Sequence, residues 1–495
     1  MAEELTASEF GPLFKRFMDA MIAEAGKEST PLLDRLRAHL GGEPSRMPIV
    51  AEEFEQWEHP NVQMALDAVT SRSGRRAELL GIAAQNKRFG QITLSDLLSA
   101  AGMYGRVFGE GPVDFVNFHL EDDRVLPCVQ FGIYLVTEGE SRSLLFVAGP
   151  PTPGMGPRVR MSVEAMSSRR EDAAALLREL ASAMRERNVY RGKVISLAPA
   201  QYGVQALVRF HRLPVISSDD IVLPAGVLQR IERQSIVFSA HTRELLAAGR
   251  SLKRGMLLYG PPGTGKTLTL MYLVTQMPGR TVILTTGLGL GLLGNIGQFA
   301  RSLAPATVVV EDVDLIAQER GLPGVPTQPL LFELLNQMDG LADDADVMFV
   351  LTTNRPDILE PALAARPGRV DLVVELPLPD ADGRRRLLEL YARGLQLDAV
   401  DFGRYVERTE GASPAYIKEL LRKAALLAAL EAKGASAVVR DEHLARAMEE
   451  LAAGGELAKR IVGFGTSAYL PPAPSVGPMR PAGFPAFVSE LRRSG

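Results

Sequence analysis

The stretch "GMLLYGPPGTGKTLTLMYLVTQM", Gly255 to Met277, decides how the rest of the chain is read. It opens on an apolar run fit for a buried strand, crosses a Gly/Pro-rich loop, and enters a segment with helical apolar spacing. Within it "GPPGTGKT", Gly260 to Thr267, has the spacing G-x-x-x-x-G-K-[ST]. Gly263 and Gly265 let the backbone wrap closely, so that successive N–H groups point at phosphate oxygens. The following helix N-terminus adds its positive dipole end. Lys266 has the reach for β- and γ-phosphates, and the Thr267 hydroxyl can ligate Mg²⁺. Strand before and helix after are the context this chemistry needs, so the segment predicts a nucleoside triphosphate site. Its binding residues are Gly260, Pro261, Pro262, Gly263, Thr264, Gly265, Lys266, Thr267 and Leu268.

Outward from this loop, strands alternate with helices from about 220 to 380: "GMLLYG", "RTVILTT", "TVVVED", "DVMFVLTTN" and "DLVVELPLP". Alternation of this kind predicts βαβ units and a parallel sheet covered on both faces, an α/β P-loop NTPase domain. One strand, "TVVVEDVD" from Thr307 to Asp314, ends in three acids. Acids do not belong in a buried core unless a cation or a reaction needs them. Mg²⁺ wants a hard oxygen ligand and an attacking water wants a carboxylate to orient it. Both needs fall at strand ends beside the phosphate loop, where the crevice of an open parallel sheet lies.

The 495 residues suggest about three domains. Residues 1–110 read as helical, with apolar side chains at three- and four-residue intervals in "FGPLFKRFMDAMIAEA" and "VQMALDAVTSRSGRRAELLGIAA". Residues 111–219 read as an α+β module with short β-branched runs, a helix over "REDAAALLRELASAMRERN", and a further strand at "GKVISLAP". Residues 220–380 read as the α/β nucleotide-binding domain, 381–453 as nearly all helix, and 454–495 as a Pro/Gly-rich tail.

A net charge of −4 offers no electrostatic reason to expect a nucleic-acid partner. The one cysteine, Cys128, allows no intramolecular disulfide, and no histidine opens an H-E-x-x-H pair. No run approaches the ~18 apolar residues that would span a bilayer, so a cytoplasmic protein is expected. The charge runs "RSGRR" and "DGRRRLLE" read as solvated helix faces, and Trp57 as a local packing residue.

Five segments in order resemble the AAA family of ATPases over about 220–453: "GPPGTGKT", "APATVVVEDVD", "LLNQMDG", "TTNRPDILEPAL" and "RPGRVDL". The stretch "GASPAYIKELLRKAAL" is similar to the family's helical lid. The resemblance implies that Glu311 stands on the Mg²⁺ side with Thr267, that Asp312 activates water, and that Asn354 is the polar sensor. It implies that Arg366 and Arg369 act on a neighbouring subunit's ATP, which requires a ring, with a hexamer as the first expectation. ATP and Mg²⁺ are the implied cofactors and a protein client the implied partner, in a chaperone-like role of remodelling or unfolding.

Three departures stand out. Glu311-Asp312 inverts the usual Asp-Glu order, as in the mitochondrial inner-membrane AAA translocase group. "PALAARPGR" carries one residue more than usual before Arg366, which would rotate a helix end by about 100°. "GLGLGLLGNIG", Gly287 to Gly297, stands where the family presents an aromatic pore loop, yet offers only Leu292-Leu293-Gly294. Asp314 is not counted as catalytic. The alternative expectation is a nucleotide-gated scaffold or assembly switch with little translocation.

Overall fold

The structure is a computed structural model. It describes residues 10–17, 20, 31–83, 92–98, 108–149, 160–198, 207–285, 293–314, 329–340, 342–359, 369–432 and 436–453. The chain divides into two compact units, residues 1–259 with 265–375 and residues 260–264 with 376–495.

The first unit holds two sheets. One is antiparallel and is built from β1 (Ile49–Phe54), β2 (Arg75–Ala83), β3 (Gly109–Gly111), β4 (Asp114–His119), β5 (Val125–Glu138), β6 (Ser141–Ala148) and β7 (Met161–Ser167). Their order is β1-β7-β6-β5-β2-β3, with β4 also pairing β5. Helices α1 (Pro31–Leu40), α2 (His59–Thr70) and α3 (Arg170–Glu186) cover this sheet. Along β6, Leu145 and Val147 join the core of Leu66 and Leu177, whereas Leu144 and Phe146 join that of Leu32 and Leu36. Both faces are buried, which explains why "LLFVA" shows no polar alternation.

The expected helical character of 1–110 holds only in part. "RRAELLGIA" is strand β2, paired antiparallel with β5 from Arg75↔Glu138 to Leu80↔Ile133. Leu, Glu and Ala favour helix locally, but Gly74 at φ +83° turns the chain out of α2 and the waiting edge of β5 captures it.

The second sheet contains β8 (Val194–Ala198), β9 (Leu207–Phe210), β10 (Arg254–Tyr259), β11 (Thr281–Thr285), β12 (Ala306–Val310), β13 (Val347–Thr353) and β14 (Leu372–Glu375). The order is β14-β10-β13-β12-β11-β8-β9. All neighbours are parallel except β9, which lies antiparallel on β8 at the edge. Helices α4 (Lys266–Thr275), α5 (Leu293–Ser302) and α6 (Pro329–Asp339) belong with it. "GKVISLAP", read from sequence as part of the α+β module of 111–219, instead extends this sheet: β8 pairs β11 in the register Val194↔Val282 to Ser196↔Leu284. Period and propensity mark a strand but carry no information about which sheet it joins.

The two sheets are joined through aromatic packing. Trp57 sits edge-on to Phe299 of α5 at 6.0 Å between ring centroids. The Tyr190 hydroxyl donates to the Trp57 carbonyl at 2.5 Å, and the Val189 N–H donates to Asn61 Oδ1 at 2.8 Å.

The second unit is helical, with α7 (Ala381–Tyr391), α8 (Phe402–Arg408), α9 (Pro414–Ala432) and α10 (Asp441–Ala453). A short parallel pair, β15 (Gln396–Asp398) and β16 (Val438–Arg440), completes it. Asp380 caps α7 by accepting from Gly383 N–H at 2.8 Å. Tyr405, Ile417, Leu420 and Leu444 are fully buried and form its interior. Among the described residues, no helix is long and apolar enough to cross a membrane.

Candidate active site

Strand β10 is buried until Tyr259 and delivers the chain to the phosphate loop at its C-terminal end. Gly260, Gly263 and Gly265 have φ of +152°, +79° and +96°. Gly265 is the residue before the first turn of α4 and holds a left-handed conformation that a side chain would resist. The Thr264 hydroxyl ties the loop on itself by donating to Pro261 O at 2.9 Å. Residues 260–264 are packed with the helical unit: a Cβ on Gly260 would lie 2.2 Å from Leu376 O, and Ala415 N–H donates to Gly263 O at 3.2 Å. Only glycine fits at 260.

Lys266 opens α4 and is buried. Burial pushes its ammonium down to about 8, opposed by the nearby Asp312 and Asp314 carboxylates. The next residue, Thr267, donates its hydroxyl to Glu311 Oε1 at 2.7 Å. Two hard oxygens from α4 and from the end of β12 thus meet at one point, which is the donor set Mg²⁺ takes alongside phosphate.

Asp312 follows with φ +48°, an uncommon backbone conformation for a residue with a Cβ. Its N–H donates to Thr352 Oγ1 at 3.1 Å, and its Oδ1 accepts from Asn354 Nδ2 at 3.1 Å. The turn swings the carboxylate toward the end of β13, where it meets the Asn354 amide. The acids at the end of β12 therefore diverge: Glu311 faces Thr267 and Asp312 faces Asn354.

Asp314 is buried and does a third job. It accepts from the Thr353 hydroxyl at 2.7 Å and from Asn354 N–H at 3.3 Å. It anchors the end of β13 and thereby the backbone that carries Asn354. Sequence reasoning did not count Asp314 as catalytic and did not single out Thr352 or Thr353. The "TT" before Asn354 was their only signal, since which hydroxyl faces which acid depends on the β12–β13 register.

The arginines are placed differently. Arg369 pairs with Asp339 of its own chain. Desolvation lowers its guanidinium, and its Nη1 is buried without a hydrogen-bond partner. Its carbonyl lies against Gly255, where a Cβ would approach to 2.0 Å, and Asp371 N–H donates to Gly255 O at 2.8 Å. Gly255 is at the start of β10 and the phosphate loop follows its end. At ~3.3 Å per residue, about 13 Å of strand separate Gly255, and Arg369 against it, from Tyr259 at the end of β10. The structure does not bring Arg369 together with Lys266, Glu311, Asp312 and Asn354. Arg366 lies outside the described residues, as do 286–292 with Leu292 and the tail 454–495, whereas Leu293 and Gly294, read from sequence as part of the candidate pore loop, begin helix α5.

A glycine-lined phosphate loop, its lysine, a Thr–carboxylate pair and a carboxylate–amide pair on adjacent parallel strands define the P-loop nucleoside-triphosphatase class of domain. Residues 256–378 match the sequence model of the family described as ATPase family associated with various cellular activities (AAA). The chain thus carries an AAA ATPase domain. It is 31% identical over 278 residues to the ATP-dependent zinc metalloprotease FTSH 1, chloroplastic, of Oryza sativa subsp. japonica, covering 53% of this chain and 40% of that protein. It is 33% identical over 264 residues to the ATP-dependent zinc metalloprotease FtsH of Acaryochloris marina, covering 50% and 39%. For FtsH 1 of Methylacidiphilum infernorum the values are 34% over 247 residues, covering 47% and 38%. The chain matches about two fifths of the length of these curated relatives. H-E-x-x-H does not occur in its 495 residues.

Proposed function

We propose that the protein hydrolyses ATP and uses the cycle to remodel or unfold a protein client. The observation that supports this best is the pairing of Thr267 with Glu311 and of Asp312 with Asn354 at neighbouring strand ends. The N–H groups of Gly263–Thr267 and the Lys266 ammonium bind the phosphates. Thr267 and Glu311 hold Mg²⁺, which when bound neutralises phosphate charge. Asp312 accepts a hydrogen bond from the attacking water and takes its proton as the new O–P bond forms and the β,γ-bridging O–P bond breaks, leaving ADP and phosphate. Asn354 keeps the Asp312 carboxylate and the water in line.

The Glu-Asp order keeps both functions because the two carboxylates turn to different partners, and it aligns the chain with the inner-membrane AAA translocase group. Arg366 and Arg369 serve a neighbouring copy, in a ring whose first expectation is a hexamer. The place of Arg369 beside the start of β10, away from Lys266, Glu311, Asp312 and Asn354, supports action in trans. The antiparallel sheet and its helices select the client, in a cytoplasmic setting.

Asp312→Asn tests the reading. ATP binding should persist while hydrolysis falls by about 10²–10³-fold, as when a positioned proton acceptor is removed. Hydrolysis at the wild-type rate would sink the role given to Asp312. The leucine-only candidate pore loop favours a second reading, a nucleotide-gated scaffold. Stimulation of hydrolysis by an unfolded polypeptide separates the two, since a scaffold shows none.

A further inference from the structure

Where the two sheets of the first unit meet, a cavity of about 390 Å³ is lined by Trp57, Phe118, Tyr190 and Phe210, with His119 and Arg209 exposed at its mouth. The rings are held by one another: Tyr190 lies 5.9 Å from Phe210 and 6.0 Å from Phe299, centroid to centroid. The Tyr190 hydroxyl is already committed to the Trp57 carbonyl. The interior therefore offers ring faces more than hydrogen-bonding groups.

One wall is β9, which among the described residues is the last strand of its sheet and pairs only with β8. His211 N–H donates to Val194 O at 2.8 Å and sets the phase of that pair. By the alternation of an antiparallel ladder, residues 207, 209 and 211 turn their backbone to β8, and Val208 and Phe210 turn theirs to the free edge. An open edge of this kind is a template for an added strand. The Arg209 side chain has neither an ion pair nor a hydrogen bond among the described residues, while the acids Glu121 and Asp122 are matched to Lys193 and Arg212.

We propose that the β9 edge and the aromatic cavity form a docking site for an extended polypeptide segment. The segment adds to β9 through the backbone of Val208 and Phe210, places a large apolar side chain among the rings, and sets a carboxylate against Arg209. The inference rests on the remodelling reading only in taking the occupant to be a protein.

Trp57 is the single tryptophan of the chain, so its emission reports on the cavity directly. A display library of random peptides is panned on the full chain without nucleotide, and enriched sequences are resynthesised and titrated. The expected peptides combine an aromatic or large aliphatic residue with an acid within two positions, and they change Trp57 emission. Arg209→Glu should weaken them about tenfold or more, as for a reversed charge facing a docked carboxylate. Val208→Pro removes an outward N–H and no ladder bond, so the fold persists, as circular dichroism can verify, while binding is lost. The proposal is overturned if no peptide enriches, if bound peptides leave Trp57 emission unchanged, if both substitutions are without effect, or if free indole responds and peptides do not. Hydrolysis is measured in parallel. Peptide failure with intact hydrolysis strikes this inference alone, and absent hydrolysis with intact peptide binding strikes only the ATPase reading.

Discussion

Asp314→Ala is the perturbation that best separates support from chemistry at this site. The carboxylate accepts a 2.7 Å bond from the fully buried Thr353 hydroxyl and a 3.3 Å bond from Asn354 N–H. A hydrogen bond to a charged group contributes about 1.5–3 kcal/mol, and the longer one less. Truncation also strands the Thr353 hydroxyl, but it relieves the desolvation of a buried acid. The balance is a loss of about 2–3 kcal/mol in urea unfolding. Asn354 loses its backbone anchor, and a displacement of about 1 Å in a positioning group can lower turnover by ~10²-fold.

Asp314→Asn keeps the accepting Oδ1 and should retain most of both quantities. The assay pairs steady-state Mg-ATPase with equilibrium binding of a fluorescent ATP analogue, and binding should stay within a few-fold in both variants. Asp314→Ala with unchanged turnover would refute the anchoring role. So would an Asn variant as impaired as the Ala variant, because charge near Lys266, not the two hydrogen bonds, would then be the operative property.

Other outcomes follow from single contacts. Burial holds Lys266 at about 8 in the nucleotide-free protein, against an unfolded value near ~10.4. The unfolded chain therefore binds more protons between these values, so stability through this group rises with pH above about 8, and Lys266→Met should flatten that slope in denaturation at stepped pH. ATP affinity should fall over the same interval as the loop loses its cation. Gly260→Ala drives a Cβ to 2.2 Å from Leu376 O at φ +152°, so ATP binding should be lost and the melting temperature lowered. Asp346 accepts from the buried Arg280 at 2.8 Å with Arg254 at 3.7 Å. Asp346→Ala leaves that charge unmatched and should cost about 3–5 kcal/mol in equilibrium unfolding.

Much of the catalytic half was legible because its signals are local. An apolar run, three glycines at fixed offsets and a Lys-Thr pair describe a strand, a loop and a helix start in consecutive residues, and these elements form as read. The acids of "TVVVEDVD" also announced themselves, since carboxylates at the end of a buried strand need partners. Their division of labour was not visible. Whether Glu311 or Asp312 meets Thr267 depends on the turn at φ +48° and on the register that places Thr352 and Asn354 beside it.

Membership was the other thing hidden in the chain. "RRAELLGIA" has helix-forming residues yet becomes a strand, because β5 offers an open edge and a left-handed Gly74 delivers the chain to it. "GKVISLAP" is a strand as expected, but it lies on β11, and among the described residues β9 is left as that sheet's edge. Arg369 reads as an arginine that acts on a neighbouring copy, and within its own chain the fold gives it Asp339 as a partner and a place at the far end of β10. The sequence by itself determined the elements and the phosphate chemistry, because backbone preference and loop spacing act over a few residues. The tertiary structure alone decided which strands share a sheet and which acid faces which partner, because those choices are made by residues tens of positions apart competing for the same edges and hydrogen bonds.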